Sequence, residues 1–304
     1  MAVSEAGGSD RVFLRLAAMF FLMGMGPGFW LPALTNIMRA AGWGYDWVAY
    51  AFLVLPLSSL LSPLCGGALA DHKIAAQKLA GWLALVGSVF LGVAFWCLEH
   101  HLHPAFFVGC FLLTSIISAP MWGLITTVAM THLPNPEQGF PRARLWATLG
   151  WIIAGWLTSY VLHADATAVA GYAGTATRLL LAWSMWCLPN TPPRGRSSSL
   201  RSLMGFDAFQ LLRQRQVAVC LLASCVLSMP LTAFYMHTPD HLHALGDVTS
   251  TVTMSFGQWS EVVAMALTGW LMMRYPIKSI FLWALAFCVA VSYTHLTLPT
   301  KRIV

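Results

Sequence analysis

Long apolar runs alternate along this chain with short stretches that carry most of its charge. A helix that crosses a bilayer needs about 20 mostly apolar residues. On that rule the pattern predicts nine spans: Val12–Leu34, Trp47–Ala70, Ala75–Leu98, Ala105–Met130, Leu145–Leu162, Ala166–Leu188, Val217–Thr238, Val252–Met273 and Ile277–Val291. Their connections are short except one. Residues 189–216 are rich in Pro, Ser and Arg and read as a linker. The linker divides a six-helix bundle (1–188) from a partial second bundle of three helices (217–291). The polar run 292–304 reads as a non-native, adapter-derived tail on a chain that stops in its ninth span.

Composition agrees with the pattern. Of 304 residues, 58% are hydrophobic and only 9% charged, where a soluble domain carries roughly 25% charged residues. The mean hydropathy is +0.68. The fold class expected is therefore an all-α polytopic membrane protein. The net charge of +6 then marks cytoplasmic loops rather than a nucleic-acid surface. With the N-terminus inside, the inside segments hold Arg11, Arg15, Lys73, Lys78, Arg142, Arg144, Arg194, Arg196, Arg201, Arg213, Arg215, Arg274 and Lys278. The outside segments hold only Arg39. The N-terminus and linker are expected in the cytoplasm, and no cleaved signal is expected at the start.

Two features narrow the fold. Six helices, a basic linker and further helices form the first. The second is Gly67-Ala68-Leu69-Ala70-Asp71, with Lys73 and Lys78, after the second span. Both resemble the major facilitator superfamily, a two-bundle fold that would here be truncated after about nine helices. Gly67, Asp71 and Lys73 then read as a gate. Glycine permits close helix approach, and Asp71 can bond helix ends or basic groups across the bundles. Helix breakers are expected at Gly26-Pro27-Gly28, Pro56, Pro63, Pro120 and Pro230, with Gly26 to Gly28 the best candidate for lining a cavity.

Of the eleven carboxylates, only Glu261 lies well inside a span. An ionised acid at mid-membrane costs about 2.5–3.5 kcal/mol on insertion scales, so it faces a cavity or a partner. Gln258 shares its helical face. On the fifth span, Arg144, Thr148 and Trp151 fall at i, i+4 and i+7 and offer one face with a cation, a hydroxyl and a flat ring. Arg142 reads as an anchor at the membrane edge.

The seven cysteines form no CxxC pattern and read as free packing thiols. His100, His101 and His103, with His241 and His243, read as solvated loop residues rather than a metal site. No metal, cofactor or catalytic residue is expected, and no HExxH, phosphate loop or nucleophile elbow is present.

Three stretches, in order, sharpen the resemblance. Arg144-Leu-Trp-Ala-Thr-Leu-Gly-Trp151, Gly205-Phe-Asp-Ala-Phe209, and Gln258-Trp-Ser-Glu261 followed by Arg274-Tyr-Pro-Ile-Lys278 are similar to motifs of the bacterial nucleoside:proton symporters. The resemblance covers about residues 12–290. It implies nucleoside contacts at Arg144, Thr148, Trp151, Gln258 and Glu261, with Glu261 also in proton coupling. Thr232 and Tyr235 align with a further contact pair, Gln and Asn in characterised members, so substrate preference stays open. Arg178 departs from the family, which is apolar or small there. It faces the cavity, shortens the helix or reflects an error in the sequence.

The resemblance implies proton-coupled nucleoside uptake by alternating access across the bacterial cytoplasmic membrane, not an enzyme; a monomer is expected, though the sequence does not fix the oligomeric state. Its partners would be nucleoside, protons and the lipid bilayer, not nucleic acid. The alternatives are a permease for another solute, such as a sugar or drug, and a non-functional fragment. Because the family's tenth helix carries further contacts, the 304 residues alone are expected not to transport.

Overall fold

The computed structural model describes residues 2–62, 74–192 and 213–297. Its elements are α1 (Ala2–Trp30), α2 (Leu34–Ala40), α3 (Tyr45–Ser62), α4 (Ala76–Glu99), α5 (Pro104–Ser118), α6 (Met121–His132), α7 (Pro136–Trp156), α8 (Val169–Trp186), α9 (Arg215–Ala244), α10 (Ser250–Ser255), α11 (Gln258–Arg274) and α12 (Ile277–Thr297). A π-helical turn, Leu157–Val161, ends α7. No strand occurs among the described residues. Each expected span corresponds to one helix or to two helices in line: α1 with α2, α5 with α6, and α10 with α11. Among the described residues, four stretches are long and apolar enough to cross a membrane, namely Arg11–Ala40, Ala76–Glu99, Pro104–His132 and Arg215–Ala244.

The interruptions fall elsewhere than the prolines suggest. Gly26-Pro27-Gly28 does not break the first helix, which continues to Trp30 and turns at Leu31–Ala33. Pro56 and Pro230 also lie inside continuous helices. Only Pro120 marks a real break, between α5 and α6; Pro63 lies outside the described residues. A proline in a membrane helix loses one backbone bond, and neighbouring helices compensate. Helix α9 passes Pro239 and reaches Ala244, so His241 and His243 sit on its last turn rather than in a loop. Helix α12 continues past Val291 to Thr297, into the stretch read as a tail.

Two buried cores hold α1 to α8 together. Leu16, Met19, Phe20, Ile125, Val128 and Met185 anchor one. Trp30, Phe95, Phe107 and Phe111 anchor the other, with Phe107 stacked on Phe111 at 5.5 Å between ring centroids. Helices α1 and α7 cross very closely. A Cβ on Gly24 would lie 1.9 Å from the Ala147 carbonyl oxygen, and one on Gly150 would lie 2.1 Å from that of Phe21. Only glycine permits that approach, the membrane use of small residues at helix crossings. The crossing fixes α7 in place, so its next face turns toward α11.

Helices α9 to α12 are built differently. Helix α11 buries no residue and α9 buries only Pro239. This second group meets the first along α7 and at the face that holds Asn36, Asp165 and Ser250. There Asp165 is buried and accepts from Ser159 Oγ at 3.0 Å and from the Thr251 backbone N–H at 2.8 Å. Asn36 Nδ2 donates to Ser250 Oγ at 3.0 Å, and Thr35 Oγ1 donates to the Met236 carbonyl at 2.8 Å. Trp156 Nε1 donates to Ser255 Oγ at 3.2 Å, and the Tyr45 hydroxyl bonds Asp240. These bonds shut the seam at that face.

Candidate functional site at the seam between the helix groups

Arg144, Thr148 and Trp151 lie on α7, which begins nine residues before the expected span because Pro136 starts a helix that carries both arginines inside it. Arg142 is exposed, as an anchor would be. Thr148 is buried, and its Oγ1 donates to Glu261 Oε1 at 3.0 Å. Three residues on, the Trp151 ring meets the edge of Tyr235 on α9, with centroids 5.8 Å apart and planes at 63°. Such a pair contributes about 0.5–1.5 kcal/mol beyond its burial. Gln258 Nε2 donates to the Tyr235 hydroxyl at 3.2 Å. A closed circuit results. It runs from Thr148 to Glu261, down one turn of α11 to Gln258, across to Tyr235, and back through Trp151 to α7.

Glu261 is not deep inside a helix, as the apolar run suggested. The run bends at Phe256–Gly257, where the backbone N–H groups of Phe256, Gly257 and Trp259 bond three residues back. Helix α11 starts at Gln258, which puts Glu261 in its first turn. A carboxylate is favoured there by the unpaired N–H groups and the positive end of the helix dipole. A half-helix whose N-terminus meets a polar site is a known way of building binding sites in membranes.

Arg144 is half-buried and leans toward α6, with its guanidinium 4.6 Å from the centre of the Trp122 ring. A cation over an aromatic face gains about 0.5–2 kcal/mol, more as water is excluded. Thr232 does not join the circuit. It is exposed, and its hydroxyl donates to Ser228 O on its own helix at 2.9 Å. Gly67, Asp71 and Lys73, the expected gate, lie outside the described residues, as does the 205–209 motif. No group of three or more metal-ligating side chains occurs among the described residues.

A cavity of about 290 Å³ opens beside this circuit, inside the first group. Gly26 and Pro27 line it, with Trp30, Ser115, Trp122 and Arg178, whereas Gly28, expected there too, packs against Trp151 and Ala154 of α7. None of the seven expected contact residues lines it. Trp122 joins the two regions, with one side in the cavity and its face under Arg144. Sequence reading missed Trp122 because fourteen tryptophans offered no reason to prefer one. It missed Asp165 because that residue reads as an ordinary loop acid.

The profile of the family described as "Nucleoside H+ symporter" matches residues 11–297. The chain belongs to that family. Two structures of the nucleoside transporter NupG match its fold. A mutant gives a TM-score of 0.76 at 23% identity, covering 88% of this chain and 70% of that one. The other gives 0.70 at 23% identity, covering 88% and 69%. The fold is therefore the two-bundle transporter type. Among relatives from Escherichia coli (strain K12), YegT is 26% identical over 278 residues, covering 89% of this chain. The chain spans 64% of the length of YegT. The nucleoside permease NupG is 24% identical over 299 residues, covering 91% of this chain and 70% of NupG. A xanthosine permease is 24% identical, covering 91% and 70%. Membership of this symporter family marks the chain as a multi-pass membrane protein.

Proposed function

We propose that this family member carries nucleosides, coupled to protons, by alternating access across the bacterial cytoplasmic membrane. The observation that carries the reading is the circuit Thr148–Glu261–Gln258–Tyr235–Trp151 across the seam between two helix groups. A nucleoside offers what those residues seek. Its base stacks on Trp151, its ribose hydroxyls exchange bonds with Gln258 and Glu261, and its base carbonyls accept from a cation such as Arg144. The polar groups of the circuit bond each other. Substrate would enter by replacing those bonds.

Glu261 is the carboxylic acid of the circuit, and the coupling role is assigned to it. Ionised, it accepts from Thr148; protonated, it can donate. A change in its charge would bias the equilibrium between seam-closed and seam-open forms. The carrier role, rather than an enzymatic one, also fits the family and the polar closure at one face. With the linker on the cytoplasmic side, as the basic residues suggest, the shut face is the outer one.

The test is equilibrium binding of labelled uridine and adenosine by the purified chain, with unlabelled maltose and nucleosides as competitors. Competition by nucleosides alone, with proton uptake that disappears in Glu261→Gln, is expected. Equal competition by the sugar would remove the nucleoside assignment. Proton uptake unchanged in Glu261→Gln would remove the coupling role.

A further inference from the structure

The cavity inside the first group contains a charge that the seam circuit does not use. Arg178 sits midway along α8 and lines the cavity. Its Nη1 donates to Thr114 Oγ1 at 3.3 Å, and its Nη2 bonds Ser118 Oγ and lies 3.7 Å from Met121 Sδ. These partners are all neutral. The Nε–H is cut off from solvent and has no acceptor, and no carboxylate reaches the guanidinium among the described residues. An arginine has five N–H donors and is charged at any working pH. A lone charge in the centre of a membrane helix is costly to insert, and such groups mark partners or pathways.

The surroundings accommodate the guanidinium. A Cβ on Gly87 would lie 2.5 Å from Nη2, so the glycine on α4 leaves the space that the cation fills. Thr114 Oγ1 donates to Gly87 O at 2.7 Å, and Ser118 Oγ donates to Thr114 O. Their protons are thus spent on the backbone, and their lone pairs face Arg178. One hydroxyl is left over. Ser115 lines the same cavity and makes no side-chain hydrogen bond among the described residues. Ser58 and Ser59 also line it, each donating its hydroxyl to the Leu55 carbonyl, and the rest of the lining is apolar or aromatic, including Trp30, Leu91, Phe111 and Trp122.

We propose that this cavity is an anion site, in which Arg178 and the Ser115 hydroxyl hold a small oxyanion. The ligand is either a free inorganic anion or the phosphate or carboxylate of a larger solute. Both share one chemistry: oxygen acceptors and a negative charge that completes the pairing of Arg178. A volume of about 290 Å³ exceeds what a single phosphate needs and leaves room for its water or for part of a solute. Trp122 separates this site from Arg144, so an anion here lies one ring away from the seam. The site does not depend on the nucleoside reading.

Calorimetric titration of the purified full chain in chloride-free buffer tests it, with sodium phosphate, uridine monophosphate and uridine as separate probes. Phosphate binding is expected, weakened on the order of tenfold to a hundredfold in Arg178→Gln, the loss typical of a charged hydrogen-bond partner. Arg178→Lys should recover part of it. Ser115→Ala, which removes one small hydroxyl, should weaken it a few-fold (about 0.5–1.5 kcal/mol) and gives the same answer if Arg178→Gln does not fold. Binding of the monophosphate but not of phosphate, lost in Arg178→Gln, also supports the site and assigns it to an anionic solute. If neither anion binds, or if both do so with affinities unchanged in Arg178→Gln and Ser115→Ala, the proposal falls. Failure of uridine alone would count against the seam site and leave this one standing.

Discussion

The two helix groups differ in how much of their apolar surface the described residues cover. Helices α1 to α8 turn their large side chains inward, and Phe20, Phe95, Phe107 and Phe111 are fully buried. In this chain, which spans 64% of the length of YegT and 70% of NupG, α9, α11 and α12 leave theirs uncovered, as at Leu222, Met229, Val263 and Phe287, while α10 buries Val252 and Met254. The first group is therefore fixed by packing, which has one good solution and resists continuous deformation. The second is held to it by a seam of directional bonds among hydroxyls, carboxylates, amides and rings. On the proposed carrier reading, such a seam would part on one face while the packed bundle moves as a body, the kind of bistable element that switching needs.

The largest expected contrast is between matched phenylalanines. Phe107→Ala should cost about 3–5 kcal/mol in detergent unfolding, the usual loss for a buried aromatic. Phe287→Ala, 73% exposed, should stay within about 0.5 kcal/mol. Equal losses would mean that the second group has a core of its own.

Next comes the seam at the face that holds Asn36, Asp165 and Ser250. Asp165→Ala leaves the Thr251 amide and the Ser159 hydroxyl without their acceptor, at about 1–3 kcal/mol. A cysteine at Val252, a position only 3% exposed, should then react with an impermeant maleimide. A cysteine that stays protected would show that this face is held by something other than the Asp165 bonds.

Thr148→Val is expected to be milder for stability, about 0.5–1.5 kcal/mol for one hydrogen bond. It should still abolish the link between α7 and Glu261. Helical unfolding curves of the variant with and without Glu261→Gln read the coupling directly. Additive effects would mean that the bond carries no energy.

The smallest effect concerns Asp247, in the turn before α10. Burial pulls its carboxyl upward. Bonds from the Thr253 hydroxyl and from the Thr249 amide and hydroxyl outweigh that and hold it below the ordinary carboxylate value. A depressed carboxylate stabilises the fold above its unfolded pKa, and the contribution fades as pH falls through the folded value. Because the group is largely in solvent, Asp247→Asn should lower the melting temperature only slightly at neutral pH and not at all in strong acid. A larger loss in acid would reverse the sign argued here.

Much of this was legible from spacing alone. Run lengths gave the helices, and a three-to-four-residue register put Thr148 with Trp151, and Gln258 with Glu261, on shared faces. What escaped were features decided by neighbours. Pro27 does not break α1 because one lost backbone bond is affordable inside a packed bundle, whereas the turn at Leu31–Ala33 and the bend at Phe256–Gly257 carry no strong sequence signal. Thr232 sits one turn from Tyr235 yet bonds its own backbone. No periodicity could tell Trp122 from thirteen other tryptophans, since its role comes from the Arg144 side chain lying over it.

The central claim is that side chains from both helix groups close on one nucleoside. A double-mutant cycle on uridine affinity tests it, with Trp151→Ala from the first group and Gln258→Ala from the second. Each change alone should weaken binding on the order of tenfold, near the low end of a stacking or amide contribution. The pair should lose less than the product of the two, because Tyr235 links them. Uridine affinity unchanged in both single variants would contradict the account.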